Sequence, residues 1–158
     1  DRLTTGHLYA FDQDEDAAAN AFDDERFTFI PQNFKYFKNF IQLYHGGKID
    51  GVIADLGVSS HQFDTPEKGF STRFDGPLDM RMSQMTPNDA AIVVNTYDHA
   101  ALTRILRLYG EMQQPQLIAS DIIMAREAEP IETTEQLKAA VQRRLPRGKE
   151  NKVLAQLS

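Results

Sequence analysis

The sequence predicts an α/β fold, with a parallel sheet near the N-terminus and a helical subdomain after it. Short apolar segments typical of buried strands lie at residues 8–11, 27–30 and 49–56, and helical spacing follows each of the first two. Strands that alternate with helices through short links are typical of a parallel sheet with crossover helices. From residue 88 onward the apolar residues recur at helical spacing only, which predicts the helical subdomain.

Residues that typically begin or end helices and strands lie between the predicted strands. Asp14 follows the first strand and can cap a helix that continues to Phe22. Pro31 ends the second strand, because proline cannot donate to a sheet ladder. The next helix ends at Gly46-Gly47, where glycine accepts the left-handed conformation of a helix C-terminus. The apolar stripe of this helix, over residues 34–44, consists of Phe37, Phe40, Ile41 and Tyr44.

A long stretch without periodicity, residues 57–87, separates the predicted sheet from the helices. It is rich in glycine and proline, and a loop of this length inside a compact domain is usually either functional or disordered. Large apolar side chains make disorder the poorer interpretation, because disordered segments contain few such residues. These side chains are Phe63, Phe70, Phe74, Leu78, Met80 and Met82.

The helical subdomain is predicted to contain at least three helices with recognisable ends. Asp98 can cap the first, Pro115 suits the first position of the second, and Thr133 with Gln136 forms a capping box for the third. Pro146 is expected to end the third helix. The apolar face expected for the first helix, before Gly110, consists of Leu102, Ile105, Leu106 and Tyr109.

Composition excludes several classes of protein. The 158 residues, 41% of them hydrophobic, suffice for one domain with a substantial core. There is no cysteine, which excludes a disulfide scaffold and a thiolate zinc site, and the four histidines lack metal-ligand spacing, so no metal site is expected. No apolar run could span a bilayer and the N-terminus lacks a signal-peptide pattern, so we expect a soluble cytoplasmic protein.

Charge is unevenly distributed along the chain. The net charge of −6 argues against RNA binding over the whole surface, and residues 1–30 are strongly acidic. Residues 138–152, in contrast, are basic. One interpretation is a solvated helix face with a basic tail, and the other is electrostatic contact with RNA phosphates. The candidate RNA-binding side chains are Arg143, Arg144, Arg147 and Lys149.

Three candidate ligand-binding side chains lie where the predicted strands end. Asp12 follows the first strand, where a carboxylate can accept hydrogen bonds from both hydroxyls of a ribose, although aspartates there often only cap a helix. Phe34 opens the helix after the second strand and could stack on a base or belong to the core. Asp55, near the end of the third strand, could accept hydrogen bonds from an amine. Ligands bind at this edge of parallel sheets.

Two strings in the sequence resemble a known family. They are Asp55-Leu56-Gly57-Val58-Ser59-Ser60 and Gly76-Pro77-Leu78-Asp79-Met80-Arg81-Met82. Together they closely resemble the ribosomal RNA small-subunit methyltransferase H family, also called MraW, and the weaker resemblance covers nearly the whole chain. It implies a partial class I, Rossmann-like methyltransferase sheet with an inserted α-helical subdomain. It also implies S-adenosylmethionine as cofactor, and methyl transfer to N4 of a cytosine in small-subunit (16S) ribosomal RNA, free or in the assembled subunit.

The resemblance also implies domain boundaries and residue roles. Residues 1–87 would form a partial cofactor domain that includes an active-site loop at 57–87, residues 88–145 the helical insert, and 146–158 a basic connecting segment. The implied cofactor-binding residues are Asp12 for the ribose, Phe34 against the adenosine, and Asp55 and Gln62 in the pocket. The implied catalytic residues are Asp55, Asp79 and Arg81.

The expected chemistry needs such groups. A cytosine amino nitrogen is a poor nucleophile, so it must be held about 3–3.5 Å from the methyl group, in line with the bond that breaks. An acceptor such as Asp55, or a carbonyl in residues 56–60, would stabilise the positive charge that develops on the nitrogen. The base must also leave its stack, and Phe63 or Phe74 could receive it.

Parts of the family pattern have no counterpart in this sequence, namely the glycine-rich cofactor loop before Leu8 and the strands after the helical insert. We therefore expect an internal fragment with little methyl transfer of its own and with unpaired sheet edges that could drive homodimer formation. A non-catalytic RNA- or protein-binding module is the main alternative. A dinucleotide-binding dehydrogenase domain is a weaker one, since no GxGxxG motif occurs.

Overall fold

The computed structural model describes residues 4–145, and the chain divides into two compact units after Leu56. The N-terminal unit comprises residues 1–56 and the C-terminal unit residues 57–158. The long stretch after Gly57 packs with the helices, and the domain boundary between residues 87 and 88 that the resemblance implies stays a prediction. That the helices form an insert within a larger methyltransferase fold stays a prediction.

A two-stranded parallel sheet organises the N-terminal unit. Strand β1 (Leu8–Phe11) pairs with β2 (Phe27–Ile30), and Leu8 lies opposite Phe27 while Phe11 lies opposite Ile30. Both strands have the predicted bounds, and the short helix α1 (Glu15–Ala18) lies in the connection between them. The carboxyl ends of β1 and β2 therefore meet at one edge of the sheet.

Helix α2 (Phe37–His45) follows a 3₁₀ turn at Phe34–Tyr36 and covers the sheet with aromatic side chains. Phe40 meets Phe11 edge to face with ring centroids 5.8 Å apart, and Tyr44 stacks on Tyr9 at 5.5 Å. Gly46 ends the helix in the left-handed conformation, φ 63°, as predicted. Helix α1 also begins at the predicted cap, Asp14, but ends before Phe22.

The third strand predicted at residues 49–56 is wrong: this segment forms no strand. A strand is stabilised by the hydrogen-bond ladder with its neighbour, and none of the described residues pairs with this segment. Its apolar side chains are correspondingly uncovered, with Val52 and Leu56 each 67% exposed and Ile53 fully exposed. An apolar run alone is thus insufficient to form a strand here.

The longer helices of the described C-terminal unit are α4 (Ala90–Thr96), α5 (His99–Leu108), α6 (Pro115–Ala128) and α7 (Thr134–Val141), and the short α3 (Ser60–Asp64) precedes them. The predicted starts are confirmed: Asp98 caps α5, Pro115 opens α6, and the Thr133–Gln136 capping box precedes α7. Tyr109, however, is 81% exposed rather than on the apolar face, because α5 ends at Leu108. Pro146 lies outside the described residues.

The core of the C-terminal unit draws on the long stretch as well as on the helices. Leu78 is 1% exposed, its amide donates to the Glu132 carbonyl (2.9 Å), and its carbonyl accepts from the Ala91 amide (2.8 Å). Leu78, in the long stretch at residues 57–87, is thus part of this core, and the role of that stretch as an active-site loop stays a prediction. The buried core consists of Leu78, Val94, Leu102, Leu106, Met112, Ile118, Ala119, Ile122, Ile131, Leu137 and Val141.

Candidate functional sites

The loops after β1 and β2 are joined by a side-chain hydrogen bond. Asn33 Nδ2 donates to Gln13 Oε1 at 2.8 Å, and the Asp12 amide donates to the Ile30 carbonyl at 3.3 Å. Asn33 Oδ1 also accepts the Lys35 amide at 2.9 Å, so this side chain fixes the start of the 3₁₀ turn as well. Asp12 and Phe34, each next to a residue of the amide pair, therefore share one edge of the sheet. Sequence reasoning selected Asp12 and Phe34 but missed the amide pair.

The Asp12 carboxylate is exposed and only partly used within the protein. Its Oδ1 accepts the Asp14 amide at 2.9 Å, whereas Oδ2 has no hydrogen-bond partner among residues 4–145. The helix cap itself is Asp14, whose Oδ1 accepts the Asp16 amide at 3.1 Å. The capping role that we considered for Asp12 thus belongs to Asp14, and Asp12 keeps an oxygen available to a ligand.

Phe34 is not a core residue. It is the first residue of the 3₁₀ turn and is 56% exposed, while the buried apolar positions of the N-terminal unit are Ile30 and Ile41. An exposed aromatic face at a strand-end edge can stack on a planar ligand. The core interpretation of Phe34 is therefore wrong for the described residues, and ligand binding by its ring stays a prediction.

Asp55 and Gln62 belong to different units. Asp55 is exposed in the segment that lacks strand structure. Gln62 is 5% exposed and completes a capping box at the start of α3: its amide donates to Ser59 Oγ (3.2 Å) and its Oε1 accepts the Ser59 amide (3.0 Å). Gln62 thus has a structural role, as part of the helix cap, beside the cofactor role that the resemblance implies.

Asp79 and Arg81 form a two-point ion pair in the C-terminal unit. Arg81 Nε donates to Asp79 Oδ1 at 2.8 Å and Nη2 to Oδ2 at 2.7 Å, while Nη1 donates to the Thr86 carbonyl at 3.2 Å. The Arg81 side chain is only 20% exposed and that of Asp79 only 17%. The hydrogen bonds from Arg81 hold the pKa of Asp79 below its usual range, against an opposing effect of burial.

The backbone between these two residues is constrained. Met80 has φ 58°, a left-handed conformation that is uncommon for residues other than glycine. Its amide donates to the Lys68 carbonyl at 2.9 Å, and the Asp79 carbonyl accepts the Ala90 amide at 2.7 Å. These contacts hold Asp79 and Arg81 in one orientation, since they fix both sides of the turn.

Arg143 and Arg144 lie in a 3₁₀ turn at Gln142–Arg144, and both are paired with Asp121 of α6. Asp121 is only 3% exposed although it is an acid, and it lies on α6 with the buried Ile118 and Ile122. The hydrogen bonds from Arg143 and then Arg144 hold its pKa well below the usual range. Sequence reasoning missed Asp121, although an acid on an apolar helix face was a usable signal. Arg147 and Lys149 lie outside the described residues.

Among residues 4–145, no three histidine, aspartate or glutamate side chains come together as metal ligands would. Of the helices in the same residues, none has the length and apolar character needed to cross a membrane.

The chain is similar to known proteins along nearly its whole length. The model of the MraW methylase family matches residues 1–157. The chain is 54% identical over 153 residues to the ribosomal RNA small subunit methyltransferase H of Flavobacterium johnsoniae, which covers 96% of this chain and 50% of that protein. The protein of the same name from Flavobacterium psychrophilum is 55% identical over 152 residues, 96% of this chain and 52% of that protein.

A third relative extends the likeness beyond that genus. The ribosomal RNA small subunit methyltransferase H of Cytophaga hutchinsonii is 46% identical over 157 residues, 98% of this chain and 53% of that protein. The chain thus spans about half the length of the curated relatives it matches. Since the family model matches nearly every residue, the resemblance found in the sequence is confirmed, and this chain belongs to the MraW methylase family.

Proposed function

We propose that this chain supplies cofactor-binding and active-site residues to an enzyme that transfers a methyl group from S-adenosylmethionine to N4 of a cytosine in small-subunit ribosomal RNA. Family membership and the names of the relatives support methyl transfer to ribosomal RNA. The observation that carries the proposal is the Gln13–Asn33 hydrogen bond, because it places Asp12 and Phe34 at one sheet edge.

This sheet edge has the groups that an adenosine needs. Ribose hydroxyls can donate to the Asp12 carboxylate, whose Oδ2 has no hydrogen-bond partner among residues 4–145. The exposed ring of Phe34 offers an apolar face to the adenine. S-adenosylmethionine, when bound, supplies an electrophilic methyl group on sulfur. The role of the protein is then to orient both reactants and to exclude water.

Asp55 is our proposed acceptor for the cytosine amino group. An exposed carboxylate can accept a hydrogen bond that strengthens as positive charge develops on the nitrogen. Phe74, 52% exposed, is the better candidate to stack on the displaced base, because Phe63 is half-buried. Arg81 retains one N–H on each of Nη1 and Nη2 without a partner in the described residues, and these can donate to the target nucleotide.

We expect Asp55→Asn to lower the rate of methyl transfer by roughly tenfold or more in the full-length protein, because a neutral amide accepts a weaker hydrogen bond than a carboxylate. Single-turnover transfer of a tritiated methyl group to ribosomal RNA measures this rate. Asp50→Asn is the matched control, since it removes the same charge from the same exposed segment. Full turnover by the Asp55 variant would contradict the proposed role.

We expect Asp12→Asn to weaken S-adenosylmethionine binding by at least about tenfold, since a hydrogen bond to a charged group contributes roughly 1.5–3 kcal/mol. Isothermal titration of the purified chain, wild type and variant, measures the dissociation constant. Micromolar binding by the wild type would also show that this chain binds the cofactor on its own.

Glu15→Gln is the matched control for that titration, because it removes an exposed carboxylate three residues along the chain without touching the sheet edge. Equal weakening by both variants would mean that only overall charge matters and would contradict the ribose contact. RNA binding by a chain that fails to bind S-adenosylmethionine would favour the alternative of a non-catalytic RNA-binding module.

A further inference from the structure

We propose that Asp121 holds Arg143 and Arg144 as a fixed pair in which Arg143 binds an RNA phosphate and Arg144 anchors the pair to α6. This inference rests on the proposed function in one respect, namely that the ligand is RNA. It goes further by naming a buried positioning carboxylate and by giving the two neighbouring arginines different roles.

Each of the two arginines donates two hydrogen bonds to the same carboxylate, that of Asp121. Arg143 donates from Nε to Asp121 Oδ2 at 3.0 Å, and from Nη2 to Oδ1. Arg144 donates from Nε to Oδ2 at 2.7 Å and from Nη2 to Oδ1 at 3.4 Å. Each carboxylate oxygen thus accepts two N–H groups. Because the Asp121 side chain is only 2% exposed, both guanidinium groups are paired with a buried carboxylate of α6.

The cluster retains a positive charge. Two guanidinium groups against one carboxylate leave a net charge of +1. The amino-acid sequence after residue 145 is also basic, with Arg147, Lys149 and Lys152 against the acid Glu150. A guanidinium presents planar N–H groups that match phosphate oxygens, so a phosphodiester backbone is the ligand that this chemistry fits.

The two arginine side chains differ in how much of their surface is exposed to solvent. The Arg143 side chain is 56% exposed and that of Arg144 is 29% exposed. Arg143 uses Nε and Nη2 on Asp121, which leaves both N–H groups of Nη1 without a partner among residues 4–145. Since the side chain is already ordered in the folded protein, less side-chain entropy is lost when a phosphate binds.

The test is the salt dependence of RNA binding by the whole chain. Fluorescence anisotropy of a labelled fragment of small-subunit ribosomal RNA gives the affinity at several KCl concentrations. We expect Arg143→Gln to reduce the slope of log affinity against log salt by about one, the signature of a lost phosphate contact. Arg143→Lys should keep the slope, because the charge remains. Arg144→Gln should keep the slope but lower the urea midpoint of unfolding.

Arg26→Gln is the matched control, because Arg26 is likewise held by two points of one carboxylate, Asp24, and its side chain is 47% exposed. We expect it to leave the slope unchanged. A slope that stays at the wild-type value in Arg143→Gln, or falls equally in both arginine variants, would overturn the inference while leaving the proposed function intact. Wild-type protein that binds an acidic peptide but not RNA would overturn both.

Discussion

Gly76→Ala is expected to lower the free energy of unfolding of the C-terminal unit by about 3 kcal/mol, the upper part of the range for overpacking. A Cβ atom at this position would lie 2.1 Å from the carbonyl oxygen and 2.8 Å from the carbonyl carbon of Pro66. Backbone atoms cannot move aside as a flexible side chain can. The segment containing Pro66 and the segment containing Gly76 would therefore have to separate.

Separating these two segments would also disturb the start of helix α7, because Gly76 is hydrogen-bonded to it. The Gly76 amide donates to Thr134 Oγ1 at 3.2 Å, and the Gly76 carbonyl accepts the Thr134 amide at 3.0 Å. Asp75 accepts the Glu135 amide at 3.0 Å, and this hydrogen bond lowers the pKa of Asp75. Moving Gly76 thus weakens the contacts that satisfy the first turn of α7.

Urea unfolding followed by circular dichroism measures the effect. Gly51→Ala is the matched control, because a Cβ at Gly51 meets no atom within 4 Å. It should change stability little or raise it slightly through the unfolded state. If Gly76→Ala unfolds at the same urea concentration as wild type, the two segments are not in the close contact described.

The features of the fold that were predicted correctly depend on local signals. The bounds of β1 and β2 follow from four-residue apolar runs, and the starts of α5, α6 and α7 follow from Asp98, Pro115 and the Thr133–Gln136 capping box. Each signal acts within three or four residues of itself, so the sequence contains all the information needed.

The third strand failed because a strand depends on a partner. Residues 49–56 have the apolar composition of a strand, yet none of the described residues supplies the hydrogen bonds that would make one. Composition is a local property, whereas pairing is not. The same reason explains why the division of the chain after Leu56 could not be found from periodicity.

The candidate sites divide in the same way. Asp12 and Phe34 could be found because they lie next to predicted strand ends. The Gln13–Asn33 bond spans 20 residues, and the Asp121–Arg143 pair spans 22, and no local pattern specifies either. The close approach of Gly76 to Pro66 is likewise visible only in three dimensions. Nonlocal contacts of this kind fix the orientation of side chains whose identities the sequence can indicate.

Asp121→Asn is expected to lower the free energy of unfolding by roughly 2–3 kcal/mol at neutral pH. Asparagine has nearly the same shape, but it cannot accept four N–H groups and it leaves two guanidinium groups without a counter-charge. Breaking a buried ion pair destabilises a protein by more, but here the partners are partly solvated, Arg143 by 56% of its side chain. Urea unfolding at neutral pH measures this difference.

The difference in free energy of unfolding between wild type and Asp121→Asn should decrease as the pH falls. The hydrogen bonds from Arg143 and Arg144 lower the pKa of Asp121 in the folded state. A lowered pKa contributes stability above the unfolded-state value of about 3.9, and this contribution is lost as the pH falls through the folded-state value. We therefore expect the wild-type protein and the variant to differ by a constant amount from neutral pH to about pH 5, and progressively less below about pH 4.

Other carboxylates with lowered pKa values, such as Asp75 and Asp79, destabilise both proteins in acid alike, so the difference isolates Asp121. Asp64→Asn is the control: its ion pair with Arg73, at 3.9 Å, joins side chains that are 66% and 74% exposed, and such pairs contribute little. A difference between wild type and Asp121→Asn that stays constant down to strongly acid pH would mean that packing, not charge, makes Asp121 important. Arg143 and Arg144 would then be held by shape alone, and the buried carboxylate would lose its proposed role in positioning them.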